Sequence, residues 1–322
     1  MRITSVFPGA ALPAGIVRIE LDSSDNVPAR SVDVGGADAS IMGASPRALT
    51  VRIPETAGHG IAVHNHAVAR AELNVGRAIA SDLQPVSNPV VDTFGNVYVT
   101  YSGTRGEKVP FSVFVVYTDG SKHPFLADIV NPTGLAIGPD DYLYISSRHT
   151  GSIYRSTFDR QVEKFAEGLG LASGLVFSPA GDLYVGDRSG FIYRISPNRE
   201  TSVVCELEPS VSAYHLAWGP DDRLYVTGPT LATQDCVYRV STEGEVEVFF
   251  KGVGRPQGLA FDAAGTLHIA ASYRGRRGLF SVDREEARLV VSGPMLVGLA
   301  YSGDGRLLYL VDGSHLYQIE LS

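Results

Sequence analysis

The chain has 322 residues, of which 44% are hydrophobic and 19% charged, a balance that supports a sizeable core and excludes global disorder. Thirty-five Gly and 18 Pro beside only three Met exclude a helical bundle, yet fall short of a low-complexity composition. Twenty-seven basic residues against 35 acidic ones give a net charge of −8, which speaks against nucleic-acid binding through general phosphate attraction.

No stretch reaches about eighteen consecutive apolar residues, so no membrane span is expected. The opening Met1-Arg2-Ile3-Thr4-Ser5-Val6 is strand-like and lacks the apolar run of a signal peptide. A cytoplasmic location is expected as written, and a secreted or periplasmic one if an export signal is removed. Residues 1–75 read as short strands at 3–6, 16–21, 32–35, 49–53, 60–63 and 69–75, separated by turns such as Pro8-Gly9 and Gly35-Gly36. That spacing predicts a small β-sandwich. His64-Asn65-His66 places two imidazoles on one strand face, a candidate metal pair with no third ligand nearby in sequence.

From residue 88 onward an internal repeat appears. Its first strands are Asn88-Pro89-Val90-Val91, Gly134-Leu135-Ala136-Ile137, Gly174-Leu175-Val176-Phe177, His215-Leu216-Ala217-Trp218, Gly258-Leu259-Ala260-Phe261 and Gly298-Leu299-Ala300-Tyr301. The anchors are spaced by 46, 40, 41, 43 and 40 residues. Each apolar first strand meets a turn, then an alternating second strand such as Leu183-Tyr184-Val185, then two more strands. About forty residues and four strands per unit is the pattern of a β-propeller blade. Six copies predict six blades. Gly at the anchor suits strands that crowd a central axis.

The last copy supplies only three strands, which would leave an unpaired edge. The segment near Arg77-Ala78-Ile79-Ala80-Ser81-Asp82 is expected to provide the missing outer strand and close the ring. The chain is thus read as all-β: a sandwich over 1–75 and a six-bladed propeller over 76–322, with 76–87 as linker and closing strand.

Two resemblances attach to these residues. Ile3-Thr4-Ser5-Val6-Phe7-Pro8-Gly9, the strand after Gly15, Val32-Asp33-Val34-Gly35-Gly36 and Leu49-Thr50-Val51-Arg52-Ile53-Pro54 resemble the TIG (IPT) immunoglobulin-like family. The family's usual Gly after its second strand is replaced here by Asp22-Ser23-Ser24. The resemblance implies a recognition or spacer module. Residues 88–322 resemble NHL-type propellers and the gluconolactonase-like (regucalcin-like) superfamily, through Pro132-Thr133-Gly134-Leu135-Ala136 and Pro256-Gln257-Gly258-Leu259-Ala260-Phe261-Asp262. Propellers host unrelated functions, so fold alone names none.

The gluconolactonase-like resemblance implies a divalent cation, Ca²⁺ or Zn²⁺, held at the channel mouth by a Glu, an Asn and an Asp. Here the residues before the anchors are Ser87, Thr133, Ser173, Tyr214, Gln257 and Val297, with no carboxylate among them. A hard cation wants carboxylate oxygens. No metal ligand and no cofactor is therefore predicted, and a cation at the mouth lacks its expected ligands. Asn88 and Asn131 lie near the anchors but do not match the family's Asn.

Loops leaving the second strands bring Tyr101, Arg105, Arg148, His149, Asp187, Arg188, Tyr273, Arg274, Arg276, Arg277 and Asp312 to the same face, with Tyr214 and His215. Arginines bind carboxylate or phosphate in bidentate fashion, so the set suits an anionic or sugar-like ligand. The alternative is that these arginines pair with Asp187, Asp312 or backbone carbonyls. His215 replaces the anchor Gly, and it and His149 are candidates for proton transfer.

The paired acids Asp140-Asp141 and Asp221-Asp222 fall in hairpins of the opposite face, where turn chemistry explains Asp. Cys205 and Cys236 form no metal spacing, and read as thiols or as a disulfide. Three functions follow as expectations. The first is a binding protein for a small polar or anionic ligand, a carbohydrate or a protein partner. The second is a gluconolactonase-like hydrolase of lactones or esters, and the third a structural adaptor.

Overall fold

The computed structural model describes residues 2–22, 29–65 and 67–321, and among these it contains strands, turns and no helix. His66, Ser23 and Ser24 lie outside the described residues.

The N-terminal region forms a seven-stranded sheet. In spatial order its strands are Arg2–Phe7, Ile16–Asp22, Ala48–Arg52, Ala37–Ser45, Ser31–Val34, Ile61–His64 and Val68–Ala71. All neighbours are antiparallel, and the two edge strands lie against each other, so the sheet wraps its own core. Ile16–Asp22 shows how: Val17, Ile19 and Leu21 turn inward while Ile16 and Arg18 face out. Val17, Ile19, Val34, Val51 and Val63 are fully buried. The nine-residue strand Ala37–Ser45 was not expected from the sequence. Its Ala, Ser and Gly side chains carry little β signal, and it is exposed along most of its length.

The remaining chain forms successive four-stranded antiparallel units. The strands Val90–Val91, Pro132–Ile137, Ala172–Phe177, His215–Trp218, Leu259–Phe261 and Gly298–Tyr301 are the innermost of each. Each inner strand packs on the next, and the last returns to the first, so the units circle an axis as a propeller.

Packing between units rests on an aromatic at the middle of each second strand. Tyr144 sits edge-on to Phe165 and Phe177, at centroid distances of 5.0 and 4.9 Å. Tyr225 repeats this with Phe249 and Phe261. Each such pair adds about 0.5–1.5 kcal/mol beyond area burial. The tyrosine hydroxyls then reach down to hairpin acids: Tyr144 to Asp140 at 2.8 Å, Tyr225 to Asp221 at 3.1 Å. Those acids also hold Arg155 and Arg239, whose other nitrogens grip Glu163 and Glu247.

Two departures from simple chain order fasten the molecule. Arg77–Ala80 pairs antiparallel with Leu316–Glu320 as the outer strand of the sheet that also holds Leu307–Val311 and Gly298–Tyr301. Residues far apart in the chain thus close the ring without a covalent link. The sheet of Leu259–Phe261, Leu267–Tyr273, Arg276–Val282 and Ala287–Ser292 is extended by Ala10–Ala11 and Asn74–Val75, both running parallel. Leu12 follows into the propeller core. Two pieces of the expected 1–75 unit are therefore built into the propeller, because Ala10 and Ala11 satisfy the backbone edge at Val291 and Ser292.

Candidate functional site

At the anchor level the inner strands approach closely. A Cβ on Gly258 would stand 2.0 Å from the Asn88 amide oxygen and 2.6 Å from the Gly298 Cα, so only glycine fits. Where the fourth repeat has His215 instead, the imidazole is wholly buried on the axis. Its Nδ1 lies 3.3 Å from the Ser87 hydroxyl and its Nε2 3.2 Å from the Gln257 amide oxygen. With Nε2–H donating to that oxygen, the Ser87 hydroxyl donates to Nδ1. Burial pushes the imidazole down to about 4, against the lesser upward pull of the Gln257 bond, so it is neutral at pH 7. Ser87, His215 and Gln257 thus link three of the units across the axis.

A cavity of about 470 Å³ runs between the inner strands toward the hairpin face, lined by Ile137, Phe177, Trp218, Phe261 and Tyr301.

The face above His215 carries a cluster of cations. Arg105, Arg148 and Arg188 come from consecutive units. The loop bearing Arg105 is held by Asn131, which is buried and left-handed at φ +47°. The Asn131 amide nitrogen donates to the carbonyls of Ser102 and Thr104 at 2.6 and 2.7 Å, and its oxygen accepts from Gly106 N–H at 2.6 Å. His149 is exposed and packs at Gly106. Arg148 is half-buried, reaches the Gly103 carbonyl at 3.4 Å, and leaves its buried Nε without a partner. Burial first, and then the charges of Arg188 and Arg105, hold the Arg148 guanidinium below its ordinary value. Arg188 donates to the Ser210 carbonyl at 3.1 Å. Among the described residues no carboxylate lies within ion-pairing distance of any of the three.

The acids expected as partners point elsewhere. Asp187 is buried and accepts from the Leu171 and Ser189 N–H groups. Asp312 accepts from Ser314 and His315 N–H and from the Tyr317 hydroxyl. Tyr214 is fully buried, its hydroxyl donating to the Glu208 carbonyl. Tyr273 packs against Phe250 and Phe280, with Arg274 over its ring at 5.1 Å. The structure therefore brings Arg105, Arg148 and Arg188 together with His149 beside them, and places His215 with Gln257. Arg274 instead lines a cleft shared with the N-terminal sheet. Sequence reading passed over Asn131 as a scaffold, because no spacing signals an amide that grips backbone 25 to 29 residues away.

The residues present do not fit the divalent cation that the gluconolactonase-like resemblance implies. The Asn88 amide bonds the Leu259 carbonyl and the Leu299 N–H, and Asn131 is similarly committed. Among the described residues no three His, Cys, Asp or Glu side chains stand together to hold a metal ion. His64 pairs with Asp33 at 2.5 Å instead. Asp140 and Asp221 are tied to Tyr and Arg, and their neighbours Asp141 and Asp222 occupy left-handed turns. Cys205 and Cys236 are free thiols, and burial pushes Cys205 up to about 11.

No family model matches the chain, and no curated protein matches it. Solved structures do. A gluconolactonase from Xanthomonas campestris superposes with a TM-score of 0.64 at 16% identity, over 77% of this chain and 90% of that one. Virginiamycin B lyase from Staphylococcus aureus gives 0.55 at 14%, over 95% and 100%. An auxiliary nutrient binding protein from Bacteroides ovatus gives 0.57 at 12%, over 98% and 96%. At these identities the likeness shows the fold alone. The chain is a β-propeller protein. Its structural neighbours include enzymes and binding proteins.

Proposed function

We propose that this is a binding protein whose propeller face above His215 takes a small anionic ligand, such as an acidic sugar, at Arg105, Arg148 and Arg188, with His149 at the rim. The observation that carries the reading is three convergent guanidinium groups that, among the described residues, have no carboxylate partner, one with a buried unpaired Nε. Clustered like charge costs energy unless something answers it, and a bidentate carboxylate or phosphate does so. Asp187, Tyr214, His215 and Gln257 shape the floor beneath. Around this site we count the extended sheet as a blade, which makes six, and read the N-terminal sheet as a TIG-like module within residues 1–75, from which Ala10–Ala11 and Asn74–Val75 pass to the propeller. The neighbours that span nearly the whole chain include a nutrient binding protein, in keeping with a binding role. Calorimetric titration with glucuronate and with inorganic phosphate tests it: saturable binding of either, weakened at least tenfold by Arg148→Ala, is expected. Wild type that binds neither refutes it and favours a structural adaptor.

A second reading, a metal-free lactone or ester hydrolase, has one observation behind it. Ser87, His215 and Gln257 form a nucleophile–base–orienting series in hydrogen-bond order. The series is sealed, with Ser87 5% and His215 0% exposed. Hydrolysis of a δ-lactone by wild type, lost in Ser87→Ala, would bring this reading forward.

A further inference from the structure

We propose a second binding site, in the cleft between the N-terminal sheet and the hairpin Leu267–Tyr273/Arg276–Val282, for an organic anion with an apolar body. The cleft has a volume of about 740 Å³, larger than the axial cavity and within the range of small-molecule sites. One wall is the outer face of the N-terminal sheet, with Phe7, Ile16, Arg18 and Arg52. The other is the hairpin tip, with Arg274, Arg276 and Arg277.

Charge and apolar surface are both unanswered there. Of the five arginines only Arg18 has an ion-pair partner among the described residues, Glu20 at 2.6 Å. A protein of net charge −8 thus gathers around one hollow four guanidinium groups that, among the described residues, have no carboxylate partner. In the same hollow Phe7, Ile16 and Met295 are 44%, 44% and 48% exposed. The Arg276 guanidinium lies 4.8 Å from the Phe7 ring centroid, a cation–π contact that puts a charge beside an apolar ring in the cleft. The chemistry is that of a carboxylate, sulfonate or phosphate carried on an aromatic or aliphatic body, its charge met by Arg52 and Arg276 and its body by Phe7 and Met295.

The walls are fixed in advance. Leu12 N–H donates to the Ser292 carbonyl and Ile16 N–H to the Ser292 hydroxyl, each at 2.8 Å. Gly15 presses on Ser292, where a Cβ would fall 2.5 Å from the carbonyl oxygen. A ligand would therefore meet a formed cleft rather than order a loose one.

The test uses 8-anilinonaphthalene-1-sulfonate, an aromatic sulfonate that fluoresces on entering apolar surroundings. The full folded chain is expected to bind it saturably at one site. Arg52→Ala and Arg276→Ala should each weaken binding at least fivefold, and Met295→Ser should dim the bound dye, all with unchanged thermal midpoints. Lys164→Ala, a surface cation paired with Glu167 and part of neither site, should leave the affinity unchanged. Non-saturable binding, or an affinity unmoved in the Arg52→Ala/Arg276→Ala double variant, overturns the proposal.

Discussion

The two faces of the propeller use arginine in opposite ways. On the hairpin face, Arg155 lies 3.0 Å from Asp140 and 2.6 Å from Glu163, and Arg239 is 2.6 Å from Asp221 and 2.5 Å from Glu247. The facing tyrosines complete each cluster. On the face above His215, Arg148 and Arg188 reach backbone carbonyls, and among the described residues none of Arg105, Arg148 and Arg188 has a carboxylate partner. The same side chain is a structural tie where the fold supplies its counter-charge and a ligand-seeking group where it does not. Exposure alone does not separate the two, since both sets are partly in solvent. Partnership does.

The comparison breaks most sharply on a group that is fully matched. His215→Ala removes the side chain that joins Ser87 to Gln257 and leaves a void on the axis. Urea unfolding should show a loss of about 3 kcal/mol. Retained stability would mean that the axis is held by backbone packing alone.

The same residue predicts a pH profile. Folded His215 stays neutral down to about pH 4, whereas the unfolded imidazole takes its proton near 6.5. The unfolded state therefore binds more protons between these values. This contribution to stability is complete above pH 6.5 and declines toward pH 4, by at most about 1.4 kcal/mol per pH unit. Unfolding curves of wild type minus His215→Gln across pH 4–7 should isolate that slope.

Smaller effects separate the two arginine sets. Arg239→Ala removes the guanidinium that joins Asp221 to Glu247, leaving Glu247 with Arg284 and Asp221 with the Tyr225 hydroxyl. It should cost about 1 kcal/mol of stability and change no affinity. Arg148→Ala should do the reverse, leaving the thermal midpoint within a degree or two while anion affinity falls about tenfold, or about 1.4 kcal/mol. If the two variants behave alike in both measurements, the distinction between the faces fails.

Much of the propeller was legible because its signals are local and repeated. Gly134, Gly174, Gly258 and Gly298 mark inner strands, Asp141 and Asp222 mark hairpins, and Tyr144, Tyr184 and Tyr225 mark the packing between units. The last repeat lacks an outer strand of its own, and Arg77–Ala80 pairs in that place. Ala10–Ala11 and Asn74–Val75 gave no signal, since two small or polar residues have no period to read. For the site, the sequence could bring Arg148, Arg188 and Arg274 to one end of the propeller. It could not say that Asp187 turns inward to the Leu171 N–H, or that Arg274 faces a different cleft. Those facts depend on rotamers and on where the N-terminal sheet docks, and neither leaves a spacing in the chain.

The pairing of Arg77–Ala80 with Leu316–Glu320 also sets a timetable for the growing polypeptide. The circle cannot be completed until residue 320 has emerged from the ribosome, well over two hundred residues after its partner strand. During that interval Arg77–Ala80 waits as a bare edge, open to pairing with a neighbouring nascent chain.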